Sequence, residues 1–390
     1  GRAMAHISRN RAREILEHLV GALDQLERVK SVADIYVNPN FDSELEAKFI
    51  ESLRRLSGKE RLPFVRLVQD IVQGKSGYLL EVGDQRYWVE PQVELGPTDG
   101  VSAMCKPDFV LWPAQSRSRR RPVAVFCDGW AYHQDRIQDD ARKRNALVAG
   151  GRFWVWSVTW EDVQAALDEK AKTSLGETFS PMFIQKLPPS LEAMMDGGVW
   201  ELNSVAGLVR WLANSSVDEV DSYAQRLSRH AGATAFKMVP HPKSPEHEAA
   251  RTTLNQFWTG LEPLQCGKPD RVTVCGNVNE PGVLLRYWWP AELAQPNAKI
   301  PPSPGFVVLD ESVFTNEPER HLAWRRWLWL FNIFQTLPGF LLATRTGLDV
   351  GDHRDVRIET ENIPGSGGSG AAHAGGWETV ITQAMESLVV

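Results

Sequence analysis

Cysteine is scarce in this chain: Cys105, Cys127, Cys266 and Cys275 are the whole complement in 390 residues. No two of them form a Cys-x-x-Cys pair. Neither a disulfide framework nor a structural zinc site is therefore indicated, although Cys266 and Cys275 have histidines with which to pair in space. Long apolar runs are missing too. With no secretory apolar core and no uninterrupted segment of the length a bilayer demands, the sequence reads as a cytoplasmic protein with no membrane partner. Excess positive charge is also lacking: 43 Lys and Arg against 49 Asp and Glu give a net charge of −6. Attraction for a polyanion must then come from a local patch. There is no Gly-x-x-x-x-Gly-Lys-[Ser/Thr] run, hence no phosphate-loop motor in the chain. No fixed-period repeat or long heptad pattern is present.

The apolar content, 43%, suffices for two or three globular domains over this length. Gly1-Arg2-Ala3-Met4-Ala5-His6 reads as a remnant of cloning and is set aside. Residues 1–35 form an N-terminal helical segment, with Ile15, Leu16, Leu19, Val20, Leu23 and Leu26 on one apolar stripe. Residues 36–185 read as an α/β unit. Residues 186–245 are a helical connector (Ser190 to Met195, Ser204 to Asn214, Val217 to His230) that ends in the linker Pro240-His241-Pro242-Lys243-Ser244-Pro245. Residues 246–390 read as a second α/β (α+β) domain, suited to protein docking, with strands at Val272 to Cys275, Val283 to Trp288 and Gly305 to Leu309. It holds a Trp-rich helix over 321–335, a Gly/Ser/Ala-rich stretch over 365–376 and a last amphipathic segment, Trp377 to Val390. Trp324, Trp327, Leu328, Phe331 and Phe334 lie near helical spacing. That pattern reads as core or interface, and Arg325 and Arg326 leave a base-stacking platform as the other reading.

The chemistry concentrates in the first unit. Asp108 opens an apolar, β-branched strand and Asp128 closes a second; a hairpin joining the two brings both carboxylates to one edge of a sheet. Hard divalent cations take such oxygen ligands, and Mg²⁺ needs only one or two carboxylates because it keeps several waters. His133 follows five residues later, able to act as a general acid or base, to donate to a phosphate, or simply to hydrogen-bond Asp128. Upstream, Ser43 to Leu53 places Phe49, Ile50 and Leu53 on one helical face with Glu46 a turn earlier; Glu46 is the candidate acid there and Glu44 the fallback. The best candidate for a basic patch, Arg117-Ser118-Arg119-Arg120-Arg121, lies in the predicted loop between the two strands. It is either a phosphate-binding patch or a solvated turn. Lys143 or Arg144, on the next helix, is a further phosphate contact.

Pro107-Asp108-Phe109, then Phe126-Cys127-Asp128-Gly129 with His133, then Asp140, Lys143, Leu147 and Gly151, and finally Trp160-Glu161 together resemble the PD-(D/E)xK nuclease superfamily, and within it the very-short-patch-repair (Vsr-like) endonucleases. The resemblance covers roughly residues 36–165. Phe126 stands where the superfamily's second acid is usual, and Asp128 where Vsr-like enzymes carry a histidine. The resemblance implies a restriction-endonuclease-like mixed sheet flanked by helices over 36–185. It implies Mg²⁺, with Mn²⁺ as a substitute, held by Asp108 and the Cys127 backbone carbonyl, with Asp128 as a second-metal or water-positioning group and Glu46 reaching metal-bound water. It further implies phosphodiester hydrolysis of DNA in mismatch repair or bacterial defence, in partnership with a helicase. A catalytically silent nucleic-acid-binding module, and a scaffold that recruits a motor subunit, are the alternatives. Trp130 and Tyr132 are candidates for insertion into DNA or for packing in the core.

Overall fold

The computed structural model describes residues 43–114, 120–176, 197–214, 223, 227, 273–276, 282–287, 305–336 and 340–350. The expected helix over 9–35, the linker at 240–245, and the segments at 190–195, 365–376 and 377–390 lie outside them, as do Arg117 and Arg119.

The chain is mixed α/β. Helix α1, Glu44–Arg55, starts under its N-cap Ser43, whose hydroxyl accepts from the Glu46 N–H and donates to the Glu46 carboxylate. Its apolar stripe, Phe49, Ile50 and Leu53, is buried. Strands β1, Val65–Val72, and β2, Lys75–Val82, turn through Gln73 and Gly74, both at positive φ. Strand β3, Gln85–Pro91, follows across the Gly83-Asp84 turn. Strands β4, Phe109–Pro113, and β5, Val123–Asp128, complete an antiparallel run.

A short helix α2, Trp130–His133, and helix α3, Ile137–Ala149, then cross over to β6, Trp154–Thr159, which pairs parallel to β5. The sheet order is β1 to β6 in sequence. Helix α4, Trp160–Leu167, begins under Thr159, whose hydroxyl accepts from the Asp162 N–H. Ser157 belongs to β6, and α4 starts only where that strand ends at Thr159. Leu95 pairs as an isolated bridge to Cys105.

Helix α5, Ser204–Asn214, is found where its pattern places it. Strands β7, Thr273–Gly276, β8, Val283–Tyr287, and β9, Gly305–Leu309, are successive antiparallel neighbours. Helix α6, Glu317–Phe334, leads from β9 to β10, Phe340–Thr344, which is parallel to β9 and is followed by α7, Arg345–Val350. Asn316 caps α6, and Glu317 and Glu319 fill its first turn, where the helix dipole favours acids. Trp324, Trp327, Leu328, Phe331 and Phe334 are buried. Arg325 pairs with Glu161 and Asp162, and Arg326 donates to the Leu175 carbonyl. The Trp-rich helix is therefore core, and the stacking-platform reading fails because the surface it requires is buried.

The two sheets close each other's edges. Asn332 of α6 accepts from the Ser157 N–H and donates to the Ser157 carbonyl, 2.8 Å each way. Gln335 does the same at Val155, accepting at 2.8 Å and donating to its carbonyl. Conversely, Asn145 of α3 donates to the Leu342 carbonyl at 2.6 Å and accepts from its N–H at 2.8 Å on β10. Side-chain amides stand in for missing strands, so the outer backbone groups of β6 and β10 are satisfied while buried.

Candidate active site

The ends of β4 and β5 and one turn of α1 bring together the acids expected from sequence. An Asp108 carboxylate oxygen accepts from the Cys127 N–H at 2.7 Å, which ties the start of β4 to the end of β5. Burial pushes the Asp108 carboxyl up to about 7; the Cys127 N–H opposes this, and the negative charges of Glu46 and Asp128 add to it. Glu46 is buried. One oxygen accepts from Ser43 Oγ at 2.9 Å and the other from Gln92 Nε2 at 2.7 Å. It is thus both a helix cap and a member of the acid cluster.

Gln92 was not marked by the sequence. It sits at φ 54°, a left-handed conformation a non-glycine residue adopts only when its surroundings impose it. Its N–H donates to the Asp108 carbonyl at 2.8 Å while its side chain holds Glu46, so one residue positions both acids. A groove of about 640 Å³ opens beside it, lined by Lys75, Glu90, Glu94, Lys106 and Trp112 among others.

Asp128 has another partner. It receives Arg144 at 2.5 Å, with both side chains 1% exposed. Arg144 also donates to Ser157 Oγ at 3.0 Å and lies over the Phe126 ring, 4.4 Å from its centroid. A guanidinium so buried has no surface to offer a DNA phosphate, which corrects the contact expected of Arg144. The second oxygen of Asp128, also buried, has no hydrogen-bond partner.

His133 Nδ1 lies 2.6 Å from Asp140 and 3.6 Å from Asp128. Burial works to lower the His133 pKa, but the hydrogen bond to Asp140 and the charges of Asp128 and Asp140 outweigh it and raise the pKa. Because the carboxylate accepts at Nδ1, Nε2 is the nitrogen left for proton transfer or a phosphate oxygen. From α6, Trp324 stacks on the His133 ring, with centroids 6.4 Å apart. Trp130 is gripped as well: it stacks on His321 at 5.0 Å and donates to Glu317 at 3.0 Å. Tyr132, by contrast, is 82% exposed.

The remaining cations are not gathered here. Lys143 pairs with Asp139 at 2.6 Å on the surface of α3. Arg120 donates to Gln85 and to the Tyr87 hydroxyl, and Arg121 lies over Trp154. Asp108 precedes β4 and Asp128 ends β5, whereas Arg120 and Arg121 lie just before the start of β5 at Val123. Arg120 and Arg121, the described part of the expected basic patch, are therefore at the opposite end of β5 from Asp128.

Among the described residues, no group of three or more His, Cys, Asp or Glu side chains is arranged to hold a metal ion, and no helix is long and apolar enough to cross a membrane. Burial chiefly raises the Asp108 pKa and the charges of Glu46 and Asp128 add to it; the repulsion among these acids is what a cation keeping most of its own water would relieve. The chain matches no protein-family model, and no curated protein or solved structure is significantly similar to it.

Proposed function

We propose that the chain is a Mg²⁺-dependent DNA endonuclease of the restriction-endonuclease-like, Vsr-like type, with Mn²⁺ as a substitute metal, working beside a helicase in a bacterial anti-phage or restriction-like system. The observation that carries this reading is Asp108: a half-buried carboxylate at the mouth of a β-hairpin, fastened to the facing strand through Cys127 and electrostatically coupled to Glu46 and Asp128. Three antiparallel strands followed by a helical crossover to a parallel one, with a glutamate-bearing helix before them, support the fold assignment.

Asp108 and Glu46 would hold the cation, with the Cys127 carbonyl as the neighbouring backbone group. The ion would supply charge neutralisation at the phosphate and a more acidic water. Gln92 fixes the two acids, and the Arg144 pair fixes Asp128 and with it the turn into α2. In its protonated form His133, oriented by Asp140, would give its Nε2 proton to the departing sugar oxygen as water adds to phosphorus, the P–O bond breaks and the attacking water's proton passes to solvent.

The sparse ligand set and the commitment of Asp128 to Arg144 favour a second reading, a silent nucleic-acid-binding module. Cleavage of supercoiled, linear duplex and single-stranded DNA in EDTA, Mg²⁺ or Mn²⁺, with wild type beside Asp108→Ala, separates the two. Metal-dependent cutting that the folded variant lacks supports the endonuclease. A folded wild type that binds DNA with steep salt dependence and never cuts it supports the silent module.

A further inference from the structure

Helix α2 has little of its own to hold it in place. It is a single turn, Trp130–His133, and none of its four side chains is buried. One turn is not stable by itself, because closing it fixes several residues for one hydrogen bond. Yet this turn carries His133, whose ring must keep one orientation if Nε2 is to meet a departing oxygen.

The hold comes from α6, far along the chain. Glu317, Arg320, His321 and Trp324 lie at i, i+3, i+4 and i+7 and so share one face of that helix. All four reach α2 or the residue after it. Glu317 accepts from the Trp130 indole N–H at 3.0 Å. Arg320 donates to the Gln134 carbonyl at 2.8 Å, and its guanidinium lies 5.4 Å from the centre of the Trp130 ring. His321 stacks on Trp130 with centroids 5.0 Å apart and planes 15° from parallel. Trp324 meets Trp130 at 5.3 Å and lies against the His133 ring at 6.4 Å, with 26° between the planes.

This face of α6 is itself braced. His321 and Arg325 approach Glu161 at 3.1 and 3.3 Å. Burial works to raise the Glu161 carboxyl, but the His321 hydrogen bond and the Arg325 charge hold it down to about 2, so it is an anion across the neutral range. Trp324 is buried in the core that joins the two sheets. Asp140 grips His133 at one edge, through Nδ1 at 2.6 Å. An edge contact leaves a ring free to pivot about it, and a fixed ring against its face removes that freedom.

We propose that Trp324 is the positioning residue for His133 and that Glu317, Arg320 and His321 keep α2 against it, so that the region expected to dock partners supplies part of the hydrolytic centre. The assignment rests on the nuclease reading, in which His133 gives a proton to the departing oxygen.

The test uses the full chain in single-turnover, Mg²⁺-dependent cutting of duplex DNA at saturating protein. Trp324→Leu, which keeps apolar bulk and loses the flat face, should cut at least about tenfold more slowly. Trp324→Phe should recover most of that rate. Trp130→Leu, at a half-buried position outside the core, should slow cutting in the same way and serves if Trp324→Leu fails to fold. The deciding arm is a duplex with sulfur in place of the bridging oxygen that departs, because a thiolate leaves without needing a proton. On that duplex both Leu variants should cut within about two-fold of wild type. Equal slowing on the two duplexes would make Trp324 merely structural, and folded Leu variants that cut ordinary DNA at the wild-type rate would remove α6 from the centre; either overturns the proposal while leaving a nuclease. No cutting by a folded wild type would overturn the nuclease reading and this assignment with it.

Discussion

Arg144 donates to Asp128 across 2.5 Å, and both side chains are 1% exposed. The pair is sealed on one side by Phe126 and tied on another to Ser157, so it anchors α3 to β5 and β6. Removing one partner strands the other charge in the interior. Arg144→Met should cost about 3–5 kcal/mol of unfolding free energy. Adding Asp128→Asn should return a large part of it in a double-mutant cycle by denaturant titration. A loss below about 1 kcal/mol in the single variant would mean that the pair is not held as described.

The contact between His133 and Asp140 sets a second expectation. Burial alone would lower the histidine pKa, and the Asp140 hydrogen bond leads the terms that reverse it. Asp140→Asn should therefore lower the His133 pKa, read by NMR titration of the ring. The raised folded-state pKa contributes stability that is present at low pH and lost as pH rises through it. The stability gap between wild type and Asp140→Asn should then be wider at pH 5.5 than at pH 8.5. An unmoved ring titration would remove Asp140 from the proposed role.

Asp108 makes the opposite case. Its carboxyl, held at about 7 against an ordinary 3.8, disfavours the charged form in the folded chain. The cost begins as pH rises above the unfolded value, grows up to about 7 and is constant beyond. Asp108→Asn, which keeps an acceptor for the Cys127 N–H, should thus stabilise the EDTA-treated protein at pH 8 by roughly 1–4 kcal/mol and leave it unchanged near pH 3.5. Thermal unfolding at the two pH values checks this, and destabilisation at pH 8 would contradict it. The same variant should abolish cutting.

Much of this was legible in sequence for a plain reason. The strand of Phe109, the strand that ends in Asp128 and the Gly305 to Leu309 strand are short, apolar and bounded by turns, and pairing preserves such patterns. Glu46 could be placed because its helix shows an apolar face. What stayed hidden depends on partners distant in sequence. Helix α3 is so polar that Arg144 reads as a phosphate contact and Asn145 goes unmarked, yet both are buried, Arg144 on Asp128 and Asn145 on Leu342 far along the chain. The left-handed backbone of Gln92 has no glycine to announce it. The remoteness of Arg120 and Arg121, by contrast, follows from the hairpin alone: its loop and its open ends are at opposite edges.

The amide clamps carry the final expectation. Asn332 satisfies both backbone groups of Ser157, and Gln335 those of Val155, on a strand edge with no water to substitute. Asn332→Ala leaves a buried N–H and a buried carbonyl unpaired, at about 1–3 kcal/mol each. Asn332→Asp should be at least as harmful, because it accepts from the N–H but sets a carboxylate against the Ser157 carbonyl. Asn145→Ala should cost a similar amount at β10. Because each clamp joins one sheet to the other, either loss should lower the midpoint of one shared transition, followed by tryptophan fluorescence and far-ultraviolet circular dichroism together. If the two signals separated already in the wild type, the sheets would be unfolding independently, and the clamps would not be what couples them.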